Sequence, residues 1–192
     1  MRRSDYQREE NYNEYLRLLQ NSDYLEVTFD EKSGGVSAVH RLHKFDKQQG
    51  VQDMRRSDYE RFVLEVLRKR GHRVVLAEET NTPGVKSYDG YMDDTPMEIK
   101  SIEGSGVWSI CTKLLIADKQ RARCVILFFP DESLFSEGRI IDGIGKYLAN
   151  PNAGKHLTIN RLISVSRDNV LLVWDKKTTP IEGWSIEEGF RR

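Results

Sequence analysis

Residues Cys124–Pro130 read CVILFFP, a run without a charged or strongly polar side chain. A strand with one wet face alternates apolar and polar residues, whereas a strand covered on both faces reads as continuous apolar text. The run therefore predicts a sheet interior with helices packed on it, an α/β fold with a central mixed sheet. A chain of 192 residues is long enough to bury such a core as one domain with an appendage.

The text ahead of that run is regular. Tyr59, Phe62, Val63, Val66 and Leu67 recur at i, i+3, i+4, i+7 and i+8, which predicts an amphipathic helix from Ser57, closed by Gly71 as its C-terminal cap. HRVVLAEE then reads as a strand and TNTPGVKS as a loop. YDGYM and PMEIKSI read as two strands joined at Asp93-Asp94-Thr95-Pro96, where the aspartates serve as turn formers. GVWSICTKLLIADKQRAR reads as a helix. From Ser57 to Pro130 the order is helix, three strands, helix, strand. A helix over Ser136–Leu148 and two strands around Arg167-Asp168-Asn169 follow.

Residues 1–53 read as an extension: a helix to about Leu19, then a hairpin around Gly34-Gly35, then a polar connection. MRRSDYQR at the N-terminus returns as MRRSDYER at Met54–Arg61. Eight residues are too few for a repeat unit, so the echo reads as one helix-start text used twice, Ser4 with Gln7 and Ser57 with Glu60 each fitting a capping box. The expected organisation is an extension over 1–53, an α/β domain over 54–177 and a polar tail over 178–192.

Lysine plus arginine and aspartate plus glutamate both number 30, so no global positive field marks a polyanion partner. Local patches remain, with Arg55, Arg56 and Arg61 around the first helix of the domain and Lys119 on the second. Cys111 and Cys124 lack metal-ligand spacing and read as core residues. No signal-peptide run or membrane-span-length apolar stretch occurs, so a soluble protein acting in the cytosol is expected. His40 and His43 read as surface or packing residues rather than metal ligands. Trp108 and Tyr91 read as core, although either ring could stack on a base.

The chemistry concentrates in YDGYMDDTPMEIKS. Side chains alternate along a strand, so Glu98 and Lys100 share one face while Met97 and Ile99 take the other. A tight turn brings the preceding strand alongside, and Asp89 can approach Glu98. Two adjacent carboxylates repel unless a cation lies between them, and hard oxygen ligands suit Mg²⁺ or Mn²⁺. A lysine beside them can orient or deprotonate a water, which completes what phosphodiester hydrolysis asks for. Glu60 falls at the edge of the buried helix face, toward the sheet, although the capping box with Ser57 accounts for it equally.

The text YERFVLEVLRKRGHRVV…YDGYMDDTPMEIKS resembles the core of the PD-(D/E)xK nuclease superfamily. The resemblance covers Ser57 to about Pro130 and implies a restriction-endonuclease-like core. It also implies one metal site from Glu60, Asp89 and Glu98, with Lys100 assisting the attacking water. Tyr88 stands where the motif's proline would be. The stretch GHRVV…SIEG, with the helix after it, is similar to the C-terminal tRNA-nuclease domains of contact-dependent growth-inhibition toxins. The segment GGVSAVHRLHKFD is similar to phage or mobile-element proteins that carry such a domain. These likenesses imply RNA, tRNA above all, as substrate with DNA second, Lys113 as an added amine near the carboxylates, and an inhibitor or immunity protein as partner. The plain reading of Lys113 is a solvent-facing lysine. Two rivals stand beside this reading: a metal-independent ribonuclease using His40 or His43 with Lys113, and a non-catalytic structural or interaction module of a phage or mobile element.

Overall fold

The computed structural model describes residues 3–78, 88–150, 158–176 and 184–187. The protein is α/β and divides into two compact units, one drawn from residues 1–48 and 56–96, the other from 49–55 and 97–192. The expected loop TNTPGVKS lies outside the described residues. Among the described residues no helix is long and apolar enough to cross a membrane.

In the first unit α1 (Arg3–Gln20) leads into the hairpin of β1 (Tyr24–Phe29) and β2 (Val36–His40), and α2 (Arg56–Arg68) leads into β3 (Arg73–Leu76) and β4 (Gly90–Met92). The echoed text thus opens a helix both times, at Arg3 and at the corresponding Arg56. Ser57 lies inside the first turn of α2 rather than ahead of it. Gly71 closes α2 at φ +87°, and His72 N–H donates to the Leu67 carbonyl across it, the left-handed cap expected of a glycine there.

β2 runs antiparallel to β1 and parallel to β3. That second pairing makes the helix and hairpin, expected as an extension, part of the same unit as α2 and β3. Val36, Ser37, Ala38 and Val39 are all buried. Val36 and Ala38 meet Leu18 of α1, while α2 also packs on β2 and β3, so β2 is covered on both faces. Two close approaches hold this packing. The Asn11 amide donates to the Gly34 and Gly71 carbonyls at 2.9 and 3.1 Å, and a Cβ at Gly35 would lie 2.0 Å from the Arg68 carbonyl oxygen.

In the second unit β5 (Thr95–Ser101, in this unit from Met97), β6 (Cys124–Phe129) and β7 (Arg161–Ser166) are parallel, and β8 (Leu171–Lys176) and β9 (Trp184–Glu187) continue antiparallel. All six residues of β6 are buried, as its text predicts. α3 (Trp108–Lys119) and α4 (Glu137–Leu148) pack on one face, where Ile110, Leu114, Ile140, Ile144 and Tyr147 meet Val125, Leu127 and Phe129. Ser136 caps α4 by accepting from the Arg139 amide. The region expected as a polar tail contains β9, which pairs with β8 through Trp174 opposite Ile186. The helix expected through Arg123 stops at Lys119, and Arg121 turns the chain at φ +60°.

The whole order of elements from Ser57 to Pro130 is as the sequence reads: α2, β3, β4, β5, α3, β6.

Candidate functional site

The residues singled out by sequence divide between the units: Glu60 and Asp89 belong to the first, Glu98, Lys100 and Lys113 to the second. Glu98 and Lys100 share a face of β5, as their spacing requires, and the Lys100 ammonium donates to Glu98 Oε2. The face they share is not the wet one. Parallel register sets Glu98 beside Val125 and Lys100 beside Leu127, on the side of the sheet that α3 and α4 cover. Accordingly the Glu98 side chain has no solvent exposure and that of Lys100 only 15%. A carboxylate in that position loses its hydration, and the ammonium restores part of what the burial costs.

Lys113 is half-buried on α3. Asp89 is half-buried just ahead of β4, and its carbonyl accepts from the Ala77 amide at 2.9 Å. Glu60 faces inward as its helix position predicts, and it meets His43, which the sequence offers as a surface or packing residue or as a catalytic histidine of the rival ribonuclease. His43 is fully buried, with Nε2 2.7 Å from Glu60 Oε2 and Nδ1 3.0 Å from the Ala77 carbonyl oxygen. A carbonyl only accepts, so Nδ1 carries a proton. The bond to Glu60 then holds one more proton, on the ring or on the carboxyl. No local signal marks this pair, since 17 residues separate its members. His40 sits edge-on to Tyr24 as a packing residue.

A second histidine pair stands at the other end of β3. His72 Nδ1 donates to Asp93 Oδ2 at 2.7 Å, and the Arg73 amide donates to Asp93 Oδ1 at 2.9 Å. Burial alone pushes the Asp93 carboxyl up, but the His72 bond and charge, with Arg73 behind them, outweigh it and hold it below the ordinary aspartate value. Asp93 and Asp94 turn the chain at φ +47° and +63°, so the expected turn role holds, with Asp93 also anchoring His72. The register Val74 with Met92 extends to Arg73 opposite Asp93, which brings His72 within reach.

Of the basic residues expected at nucleic acid, Arg61 is forked onto Glu26 at 2.8 and 3.0 Å, and Arg56 reaches Asp46 at 3.4 Å. Arg55 and Lys119 are exposed. Cys111 and Cys124 are buried, and desolvation pushes the Cys111 thiol up, which keeps it unreactive. Trp108 and Tyr91, expected in the core, are 58% and 42% exposed. For Trp108 the text of α3 explains the difference. Apolar residues lie almost all round this helix, so its periodicity could not say which of them face solvent.

Fold and site together define an α/β protein with a buried carboxylate–ammonium pair on a parallel strand. No family model matches the chain, and no curated protein matches it. Among solved structures it is similar to a CdiA-CT/CdiI toxin and immunity complex from Burkholderia pseudomallei, with 18% identity and a TM-score of 0.49 over 62% of this chain and 83% of that one. A likeness of that strength assigns neither a site residue nor an activity.

Proposed function

We propose that the protein is a nuclease that hydrolyses phosphodiester bonds with a divalent metal, and that Glu98 and Lys100 are its centre. The observation that carries the reading is the burial of Glu98 against Lys100. A charged pair inside a helix-covered face is often less stable than an apolar pair of the same volume. Its presence at E-x-K spacing favours a chemical role over a stabilising one.

The donor set is hard oxygen, which suits Mg²⁺ or Mn²⁺. Glu98 would hold the ion, and the sequence reading assigns Asp89 and Glu60 as further carboxylates. Among the described residues no three histidine, cysteine, aspartate or glutamate side chains are gathered as a ready cage. The assignment of Asp89 and Glu60 therefore rests on their order in the chain. When bound, the ion supplies polarisation of the phosphate and an acidified water. Lys100, tied to Glu98 through its ammonium, would assist the attacking water and meet charge developing on the phosphate. Glu60 already gives one carboxylate oxygen to His43, which fixes its rotamer. RNA, tRNA first, with DNA second, is the proposed substrate, and an inhibitor protein the proposed partner, both from the sequence resemblance to toxin nuclease domains.

The test is incubation of the purified protein with total tRNA, plasmid and single-stranded DNA, in Mg²⁺, Mn²⁺ or EDTA. Cleavage of at least one substrate that stops in EDTA, and falls at least a hundredfold in folded Asp89→Ala and Lys100→Ala variants, is expected. Cleavage that persists in EDTA, or in both variants, contradicts the reading.

A further inference from the structure

We propose that Trp108 and Lys146 form a stacking platform for an unpaired base, with Lys119 meeting a phosphate further along, so that the ligand is single-stranded nucleic acid. The ligand class rests on the nuclease reading; the inference adds the state in which the substrate is held.

Trp108 opens α3 with 58% of its surface in solvent, beside Val107 at 52%. An indole so exposed forgoes the burial that usually keeps tryptophan inside a fold. The Lys146 ammonium of α4 stands over the ring, 5.8 Å from its centroid. Aromatic surface beside a cation matches a nucleotide, whose base stacks while its phosphate meets the charge. Lys119 is exposed on the last turn of α3 and, eleven residues on, returns to nearly the same side of the helix as Trp108. At ~1.5 Å per residue the two lie about 16 Å apart along the axis, a span of two or three nucleotides.

The platform is held rigidly. The Ser109 hydroxyl shares its one hydrogen between the Gly106 and Gly104 carbonyls, at 2.7 and 3.1 Å, and Arg139 Nη2 donates to Ser109 Oγ at 3.0 Å. Binding there orders no loop, which lowers its entropic cost. The connection from β5 to α3 also leaves the carboxyl end of the parallel strand that carries Glu98 and Lys100, where ligands of open parallel sheets collect. A duplex keeps its bases stacked inside and gives the indole nothing to cover, whereas an unpaired base can leave its neighbours for the ring.

The test is fluorescence anisotropy of a labelled eight-nucleotide single strand and of its duplex, in EDTA so that binding is read without cleavage. Wild type is expected to prefer the single strand. Trp108→Ala should weaken single-strand affinity roughly tenfold while Trp108→Phe keeps most of it, and Lys146→Ala or Lys119→Ala should flatten the salt dependence. Unchanged affinity in Trp108→Ala, or no strand binding by wild type, overturns the inference; an indole kept for a protein partner gives that same result. A Trp108 effect that stands while wild type cleaves no substrate leaves the platform and removes the nuclease reading; one that stands while folded Asp89→Ala and Lys100→Ala still cleave removes only the assignment of those residues.

Discussion

Asp93 shows how much one side chain can do at a tight turn. It adopts a left-handed backbone, receives the Arg73 amide, and holds His72 at 2.7 Å. Its folded-state carboxyl titrates below the ordinary aspartate range of about 3.9, so the stabilisation is complete above that range and is lost as pH falls through the folded value. Asparagine tolerates the same positive φ and removes the charge. Asp93→Asn should therefore be less stable than wild type at pH 7, with the gap closing as pH falls below the ordinary aspartate range. Urea midpoints across that range check this; a gap independent of pH contradicts it. The turn role of Asp93 was legible in the sequence, while its bond to His72 and the His43–Glu60 pair were not, since each joins segments 17 or more residues apart.

At the scale of elements, α3 and α4 decide where Trp108 and Lys146 stand. They meet at Gly143, where a Cβ would lie 2.6 Å from both Ile110 Cβ and Cγ2. Ile110 is buried and β-branched, so it has little room to turn away. Gly143→Ala should cost about 1–3 kcal/mol through overpacking, despite alanine's better helix propensity. Thermal or urea unfolding measures it, and a stabilised variant would contradict the packing. The helices and strands themselves were legible because hydrophobic period is a local property: the α2 stripe and the unbroken β6 run declare their environment residue by residue. β9 was not legible, because Trp184–Glu187 is four residues long and its pairing with β8 is not written in its own text. The parallel pairing of β2 with β3 was hidden for the same reason: α2 and its connection stand between them, so what reads as an appendage is an interior strand.

For the molecule as a whole, neutrality is resolved locally. Glu26, Asp46 and Asp94 each take an arginine, so much of the basic text is balanced at home rather than offered to a polyanion. What sets Glu98 apart is its position. It is a charged side chain with no solvent exposure, on a parallel strand under two helices, tied to Lys100 two residues on. The E-x-K spacing was plain in the sequence and its shared face followed from strand geometry; its burial did not follow, because which face the helices cover depends on the crossover from β5 to β6. The most direct measurement is cleavage of nucleic acid in Mg²⁺ by Glu98→Gln, which keeps the shape and removes the charge. A folded protein whose rate falls by a factor on the order of 10² or more is expected. A folded Glu98→Gln protein that cleaves at the wild-type rate would contradict the assignment.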